Sequence, residues 1–173
     1  MNQNHIDSAL AQFEYYKLLG EKTFIQLTDE QLFWQFNEES NSIAIIVKHM
    51  RGNMLSRWTD FLTTDGEKQG RNRDAEFHND LKTSSELWQV WNEGWSCLFN
   101  AITSLTENDL SKVVLIRNQE HTVAEAIDRQ VAHYAYHVGQ IVLLGKMVCN
   151  DRWISLTIPK GRSQTFNSQL ILK

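Results

Sequence analysis

The chain has 173 residues, a length that predicts a single domain able to bury a core without disulfides or a structural metal. It contains one proline and eight glycines, which argues against a β-sandwich or barrel because those folds use both residues in many turns. The formal net charge of −4 excludes an overall basic field of the kind that holds nucleic acid or an anionic membrane. We therefore expect a helical protein that binds neither nucleic acid nor a membrane.

Cysteine usage and the N-terminal residues bear on the compartment in which the protein works. The two cysteines, Cys97 and Cys149, are too few to indicate a disulfide framework, and residues 1–7 lack the basic region and apolar run of a signal peptide. Uninterrupted apolar runs such as residues 141–144 are far shorter than the roughly 20 residues of a membrane span. These features predict a protein of the reducing cytoplasm.

Helical periodicity dominates the sequence. Apolar residues recur at a spacing of three to four in four segments, namely residues 6–27, 42–62, 84–102 and 122–149. Ser42 is a good N-cap for the second segment, and Thr122 with Glu125 forms a capping box at the start of the fourth. Helices of about 20 residues in this number predict an all-α fold, a four-helix bundle formed by residues 1–173 as one domain.

The segments between and after these helices are expected to be irregular. Residues 65–82 are polar and predict a long crossover loop, which would let two neighbouring helices run parallel. In residues 150–173, Ile154, Leu156 and Ile158 alternate with polar residues, a pattern that predicts an extended tail packed on the bundle. Four basic residues of these two segments could hold an anionic co-substrate or could be solvated charges. They are Arg71, Arg73, Lys160 and Arg162.

A short internal similarity divides the chain into two halves. Residues 27–32 and 105–110 share one pattern, and each follows a predicted helix and precedes an irregular or extended segment before the next helix. The chain then consists of two helix–connection–helix halves, which would place the second and fourth predicted helices in equivalent positions.

Three of the six histidines lie inside predicted helices. His133 and His137 are four residues apart and project from one face, so both imidazoles can reach one metal ion. His49 lies in an apolar stretch of the second predicted helix, which the two-half pattern pairs with the fourth. Because three protein nitrogens with an open fourth position suit catalytic zinc and also nickel, we predict that these histidines bind one divalent ion, Zn²⁺ or Ni²⁺. The alternative is a core pair hydrogen-bonded to Tyr134 and Tyr136.

Three polar residues lie within a helical turn of these histidines. Asn53 is four residues beyond the first histidine and Gln140 three beyond the last, so both are candidates to orient the ligands through hydrogen bonds. Arg129 lies one turn before the histidine pair and could meet a substrate carboxylate. The alternative for Arg129 is an intrahelical surface ion pair with Glu125.

The histidine segments resemble a known family. Ser-Ile-Ala-Ile-Ile-Val-Lys-His-Met at residues 42–50 and His-Tyr-Ala-Tyr-His-Val-Gly-Gln-Ile at residues 133–141 resemble the DinB-like superfamily of metal-binding four-helix bundles. The tail, with Ile-Pro-Lys-Gly-Arg-Ser at residues 158–163, is similar to a bacterial branch of mostly uncharacterised proteins. The resemblance implies an up-down-down-up bundle with one divalent ion held by the same three histidines. It also implies kinship with transferases and isomerases that use low-molecular-weight thiols such as bacillithiol or mycothiol, many of them dimeric.

We therefore expect a divalent-metal-dependent enzyme acting on a small-molecule substrate, either a thiol S-transferase or a hydrolase. Its nucleophile would be a metal-bound water or thiolate, with no further catalytic residue assigned. The alternative is a non-catalytic, stress-associated bundle that binds metal as a dimer. A homodimer is expected from the resemblance and from apolar aromatic residues predicted to be exposed, which are Phe33, Trp34 and Phe36.

Overall fold

The computed structural model describes the backbone of residues 3–171 and the side chains of residues 5–168. In chain order the elements are α1 (Gln3–Phe24), α2 (Asp29–Leu32), α3 (Ile43–Trp58), α4 (Ser84–Thr103), β1 (Val113–Ile116), β2 (Gln119–Thr122), α5 (Val123–Cys149) and α6 (Ser163–Ile171). This confirms the prediction of a mostly helical chain, and four of the described helices, α1, α3, α4 and α5, have 16 or more residues. Within the described residues, none of the helices is both long and apolar enough to cross a membrane.

Three of the long helices begin at capping residues that satisfy their first backbone N–H groups. Ser42 accepts a hydrogen bond from the third residue of α3. Thr122 and Glu125 form the predicted capping box at α5, and Thr83 with Glu86 forms a second one at α4. Because these bonds join residues only three apart, the starts of the helices could be located from local sequence.

The end of α3 differs from the prediction. The apolar pattern was expected to continue the helix to residue 62, but α3 ends at Trp58. Asp60 adopts a positive φ of 47°, and its carbonyl accepts hydrogen bonds from the N–H groups of Thr63 and Thr64 at 3.0 Å each. The chain therefore turns away from the helix axis at residue 60, and Phe61 is buried against the core from a turn rather than from a helix.

The long helices contact one another in pairs around an apolar core. α3 packs mainly on α4 and α1 mainly on α5, while contacts between α3 and α5 and between α1 and α4 complete the group. The largest fully buried side chains include Phe13, Trp91, Trp95 and Tyr134, whose rings meet at centroid distances of 5.4–6.4 Å. This core holds α3 and α5 side by side, which brings the histidine-bearing helices together.

A β-hairpin precedes α5, where the sequence predicted only an irregular or extended segment. β1 and β2 pair antiparallel, with Ile116 opposite Gln119. The two residues between them, Arg117 and Asn118, have φ values of 55° and 59°. Positive φ at both central positions is the turn geometry that matches the twist of a two-residue hairpin. The short strands therefore form because the turn fixes their register.

The predicted crossover between α3 and α4 is present, and its first part is fastened to the hairpin. The carboxylate of Asp65 accepts backbone N–H groups from Glu67, Arg117 and Asn118 at 2.7–2.9 Å. The N–H of Gly66 donates to the carbonyl of Leu115 at 2.8 Å. Later in the crossover, residues Asp74–Phe77 form one turn of 3₁₀-helix. The crossover is thus held in a defined path across the side of α3.

The prediction of an extended tail is wrong for its last part. Residues 163–171 form α6, because a turn closed by Arg162 N–H and the Pro159 carbonyl at 3.0 Å leads into a stretch without further proline or glycine. Residues Asn150–Arg152 form one turn of 3₁₀-helix, and residues 153–162 are neither helix nor strand. Ile154 exchanges two backbone hydrogen bonds with the side chain of Gln26 at 2.7 and 3.2 Å. That contact attaches the start of the tail to the end of α1. Residues 172–173 of the predicted tail lie outside the described residues.

Candidate metal centre

Three histidines from two helices meet beside the crossover. His49 lies on α3, and His133 and His137 lie one turn apart on α5. One ring nitrogen from each lies within 4.8 Å of the others, and the ring centroids are 4.6–5.8 Å apart. Two nitrogens bound tetrahedrally to one zinc ion are about 3.4 Å apart. The three rings are therefore close to the spacing that a shared ion requires.

His133 has a buried ring nitrogen, Nε2, without a hydrogen-bond partner in the described part of the chain. Burial, with the neighbouring His137 and His49, lowers the pKa of His133 to about 3. The ring is therefore neutral at pH 7 and presents a lone pair, which is the form that a metal ion binds.

His137 is oriented by a neutral side chain. Its Nδ1 atom donates to Oε1 of Gln140 at 2.8 Å, and Nε2 of Gln140 donates to the Tyr136 hydroxyl at 3.2 Å. Burial lowers the pKa of His137, although the hydrogen bond to Gln140 opposes this. Because Nδ1 carries the proton, Nε2 is the nitrogen left to bind an ion.

His49 is oriented by a carboxylate that the sequence analysis missed. Its Nδ1 atom lies 3.0 Å from Oε2 of Glu76, and Arg71 donates from Nε and Nη2 to the two carboxylate oxygens at 2.7 and 2.9 Å. Burial would raise the pKa of Glu76, but the hydrogen bonds from His49 and Arg71 bring it below its ordinary value. The ionised carboxylate accepts a hydrogen bond from Nδ1–H, which leaves Nε2 of His49 as the candidate ligand atom.

The sequence offered one signal for this carboxylate. Gly52 lies three residues beyond His49 on α3, and a Cβ added there would lie 2.2 Å from Oε1 of Glu76. A glycine inside a helix costs about 1 kcal/mol relative to alanine and suggests a packing reason. Here the reason is the close approach of Glu76, which occupies the space of the missing side chain.

Two partly exposed aromatic rings border the histidines. Phe77 stacks on His49 with centroids 5.1 Å apart and 27° between the planes. Tyr136 meets His137 edge-on, also at 5.1 Å. Phe77 and Tyr136 are 43% and 63% exposed, so the cluster lies at the protein surface rather than in the closed core. Phe77 was not among the residues singled out from the sequence.

Asn53 and Arg129, two of the three polar residues predicted to lie near the histidines, do not hydrogen-bond to them within the described part of the chain. Asn53 is buried and accepts a hydrogen bond from the Tyr134 hydroxyl at 2.9 Å, so its side chain belongs to the core rather than to a ligand histidine. Arg129 is exposed, and its side chain forms no hydrogen bond or ion pair with the residues that the structure describes. Its predicted alternative partner, Glu125, instead accepts hydrogen bonds from Thr122 in the capping box. Spacing alone could not reveal these competing partners.

The four basic residues of the crossover and tail differ in burial. Arg71 is almost fully buried against Glu76, whereas Arg73, Lys160 and Arg162 are exposed. A cavity of about 1130 Å³ lies between α3, the crossover and α4, and Gly52, Arg71 and Glu76 are part of its wall. Glu76 therefore borders both this cavity and His49.

The fold and the histidine cluster together define a helical protein with a candidate histidine metal centre. Residues 1–162 match the model of a family described as "Protein of unknown function (DUF1572)", and the chain belongs to this family, whose domain is DinB-like. This confirms the predicted resemblance at the level of the DinB-like class. No curated protein matches the chain.

Proposed function

We propose that the protein is a divalent-metal-dependent enzyme that acts on a small-molecule substrate, as a low-molecular-weight-thiol S-transferase or as a hydrolase. His49, His133 and His137 would hold the ion, Zn²⁺ or Ni²⁺. The observation that carries the proposal is the buried, unpartnered Nε2 of His133 beside two imidazoles that are already oriented by hydrogen bonds. Three neutral imidazoles left without an ion would be costly to bury.

The donor set fits the chemistry that such an ion supplies. A divalent ion bound by three imidazoles acts as a Lewis acid that lowers the pKa of a thiol or water in its open position. The protein's own groups would hold the ligands in place, since Glu76 fixes the tautomer of His49 and Gln140 that of His137. Phe77 and Tyr136 would flank an approaching substrate, because both rings border the exposed side of the cluster.

The proposal includes an up-down-down-up order of the four long helices. Contacts between α3 and α4 advance in the same direction along both helices, whereas those of α3 with α5 and of α1 with α4 advance in opposite directions. This is the arrangement in which the long crossover joins two parallel helices. The contacts that support it are Arg51–Glu93 and Met54–Cys97, then His49–His137 and Trp58–Tyr134, then Phe24–Trp88 and Phe13–Trp95.

A second candidate is a non-catalytic, stress-associated dimer that binds metal. It is favoured by an exposed apolar groove of about 580 Å³, where Trp34, Phe36 and Met147 are 37%, 70% and 56% exposed. Phe33, also predicted to be exposed, is instead partly buried against the core. We propose the cytoplasm as the location for either candidate, on the strength of the two unpaired cysteines.

Metal analysis and a substrate panel test the proposal. Purified wild-type protein is expected to carry about one divalent ion per chain, and His133→Ala to carry almost none, because one of three ligands is lost. Zn²⁺- and Ni²⁺-loaded protein is then assayed against low-molecular-weight thiols paired with electrophiles, and against hydrolysable esters and amides. Turnover that His133→Ala abolishes supports the enzyme. Metal without turnover, in a protein that sediments as a dimer, supports the second candidate, and a wild-type protein that takes up no ion contradicts both.

A further inference from the structure

We propose that Glu76 is the positioning residue of the metal centre, and that Arg71 and Gly52 hold its carboxylate against His49. The inference rests on the proposed metal site and goes beyond it, because it makes the crossover a working part of that site. Glu76 is 27 residues from His49 in sequence, and its effect on ion binding would act through that histidine. The three ligand histidines would then contribute unequally to ion affinity.

The carboxylate is held from both sides. The side chains of Glu76 and Arg71 are 9% and 5% exposed, and the guanidinium donates to both carboxylate oxygens. Such two-point pairs fix direction as well as charge. Arg71 in turn faces Glu67 at 3.6 Å, and Glu67 accepts from Arg117 of the hairpin turn at 3.1 Å. The chain of charges therefore connects His49 to the part of the fold that fastens the crossover.

The three ligand histidines differ in the hydrogen-bond acceptor available to their second ring nitrogen. His49 donates to an ionised carboxylate and His137 to a neutral amide, while His133 lies without a comparable acceptor in the described part of the chain. A carboxylate that accepts the distal N–H of a ligand histidine increases the basicity of that ligand and holds its ring direction. We therefore expect Glu76 to contribute more to ion affinity than Gln140, the acceptor of His137.

The chain contains a matched pair that separates positioning from general stability. Arg51 on α3 donates from Nε and Nη2 to both oxygens of Glu93 on α4 at 2.9 and 2.7 Å, the same two-point geometry that Arg71 and Glu76 have within the crossover. Among the described residues Glu93 contacts Arg51 rather than a histidine, and both side chains are about two-fifths exposed. Glu93→Gln therefore removes a two-point ion pair of the same chemistry, although a more exposed one, without changing the hydrogen bond to a ligand histidine.

The first experiment measures Zn²⁺ affinity by competition with a chromophoric chelator, and the absorption spectrum of the Co²⁺-loaded protein. Glu76→Gln is expected to weaken Zn²⁺ binding by about 10- to 100-fold and to change the Co²⁺ spectrum, whereas Glu93→Gln changes neither. Because Glu76→Gln leaves the buried Arg71 with Glu67, at 3.6 Å, as its only ion-pair partner among the described residues, the double variant Arg71→Met/Glu76→Gln is measured as well. It is expected to recover folding stability while Zn²⁺ binding stays weak. Recovery of wild-type affinity in the double variant would overturn the inference.

The second experiment moves the carboxylate without removing it. Gly52→Ala places a methyl group where Oε1 of Glu76 now lies, and the flexible end of the glutamate is displaced. Alanine favours the helix by about 1 kcal/mol, which offsets part of the cost of disturbing the Arg71–Glu76 pair, and the variant should bind Zn²⁺ at least about 10-fold more weakly than wild type. The control is Gly139→Ala on α5, where an added Cβ meets nothing within 4 Å.

The outcomes of these experiments separate the two proposals. Weak Zn²⁺ binding by both Glu76→Gln and Gly52→Ala, with wild-type binding by the two controls, supports Glu76 as a positioning residue. Wild-type affinity in Glu76→Gln or in Gly52→Ala contradicts it while leaving the three-histidine site intact. A wild-type protein that binds no Zn²⁺ or Co²⁺ contradicts the metal site itself.

Discussion

Two clusters of rings share helix α5 and have opposite effects on stability. The aromatic core cluster, formed by Phe13, Trp91, Trp95 and Tyr134, and the histidine cluster, formed by His49, His133 and His137, have similar ring spacings of 5.4–6.4 Å and 4.6–5.8 Å. The first buries large apolar surfaces, which stabilises the fold. The second buries polar imidazole nitrogens, and burial of a polar group lowers stability unless that group is hydrogen-bonded or bound to an ion. The same packing thus gives a scaffold in one place and a binding site in the other.

The contrast is not absolute. The indole nitrogens of Trp91 and Trp95 also have no hydrogen-bond partner among the described residues. An indole carries a single donor on a large apolar ring, whereas an imidazole has two nitrogens on a small one. Tyr134 joins the clusters, since its ring touches Trp95 and His133 at 5.8 and 5.5 Å. Four substitutions sharpen the comparison.

The largest effect is expected in the aromatic core cluster. Trp95→Ala removes a fully buried indole that contacts Phe13, Trp91 and Tyr134. The free energy of unfolding should fall by about 3–5 kcal/mol because a large cavity replaces the ring. Urea denaturation in the presence of a chelator measures this, with Trp34→Ala in the exposed groove as control. A loss no greater than that of the control would show that the cluster is not what holds the helices.

A smaller loss is expected where the two clusters meet. The Tyr134 hydroxyl accepts from Nε1 of Trp58 at 3.1 Å and donates to Asn53 at 2.9 Å. Tyr134→Phe leaves both of these buried groups unpaired and should reduce the free energy of unfolding by about 2 kcal/mol. The exposed Tyr15→Phe should stay within about 0.5 kcal/mol of wild type. Equal values for the two variants would contradict a structural role for the hydroxyl.

The histidine cluster should respond with the opposite sign. His133→Leu removes a buried nitrogen that lacks a partner in the described residues, and keeps the side-chain volume nearly unchanged. In chelator, the free energy of unfolding should rise by about 1 kcal/mol, and added Zn²⁺ should no longer raise the melting temperature. His78→Leu, at an exposed position of the crossover, is the control. Destabilisation of the metal-free variant would mean that His133 serves the fold.

The last effect concerns the attachment of the crossover; at pH 7 it is about as large as that of His133→Leu, and it becomes the smallest in acid. Burial would raise the pKa of Asp65, but the N–H groups of Asn118, Glu67 and Arg117 hold it below its ordinary value of 3.8. A carboxylate whose pKa is lower in the folded state stabilises the fold above its unfolded pKa, and loses that contribution as the pH falls through the folded pKa. Asp65→Asn should therefore cost about 1 kcal/mol at pH 7 and less at each step below pH 4. A difference between the two proteins that stays constant from pH 7 to pH 3 would exclude this origin.

Much of the helical fold could be predicted because its signals are local. Ser42, and Thr122 with Glu125, mark helix starts through hydrogen bonds that span three residues. The spacing of His133 and His137 places both rings on one face whatever surrounds the helix. The two-half pattern further indicated that His49 would come from the helix beside them, and the structure brings the three rings together.

The remaining features were missed because non-local contacts decide them. Asn53 has the right spacing to support His49, yet its side chain serves Tyr134, which is 81 residues away in sequence. Glu76 lies in a polar crossover with no repeating pattern, and only the folded chain brings it to His49.

Local sequence was sufficient to show where three of the long helices begin and which histidines share a face, since backbone hydrogen bonds and side-chain periodicity act over one turn. The acceptor of each histidine and the paths of the crossover and tail depend instead on contacts between distant parts of the chain. A loop has no period to fix its direction, so its path follows from the buried charges and backbone groups that it must satisfy. For Glu76, those groups are Arg71 and His49.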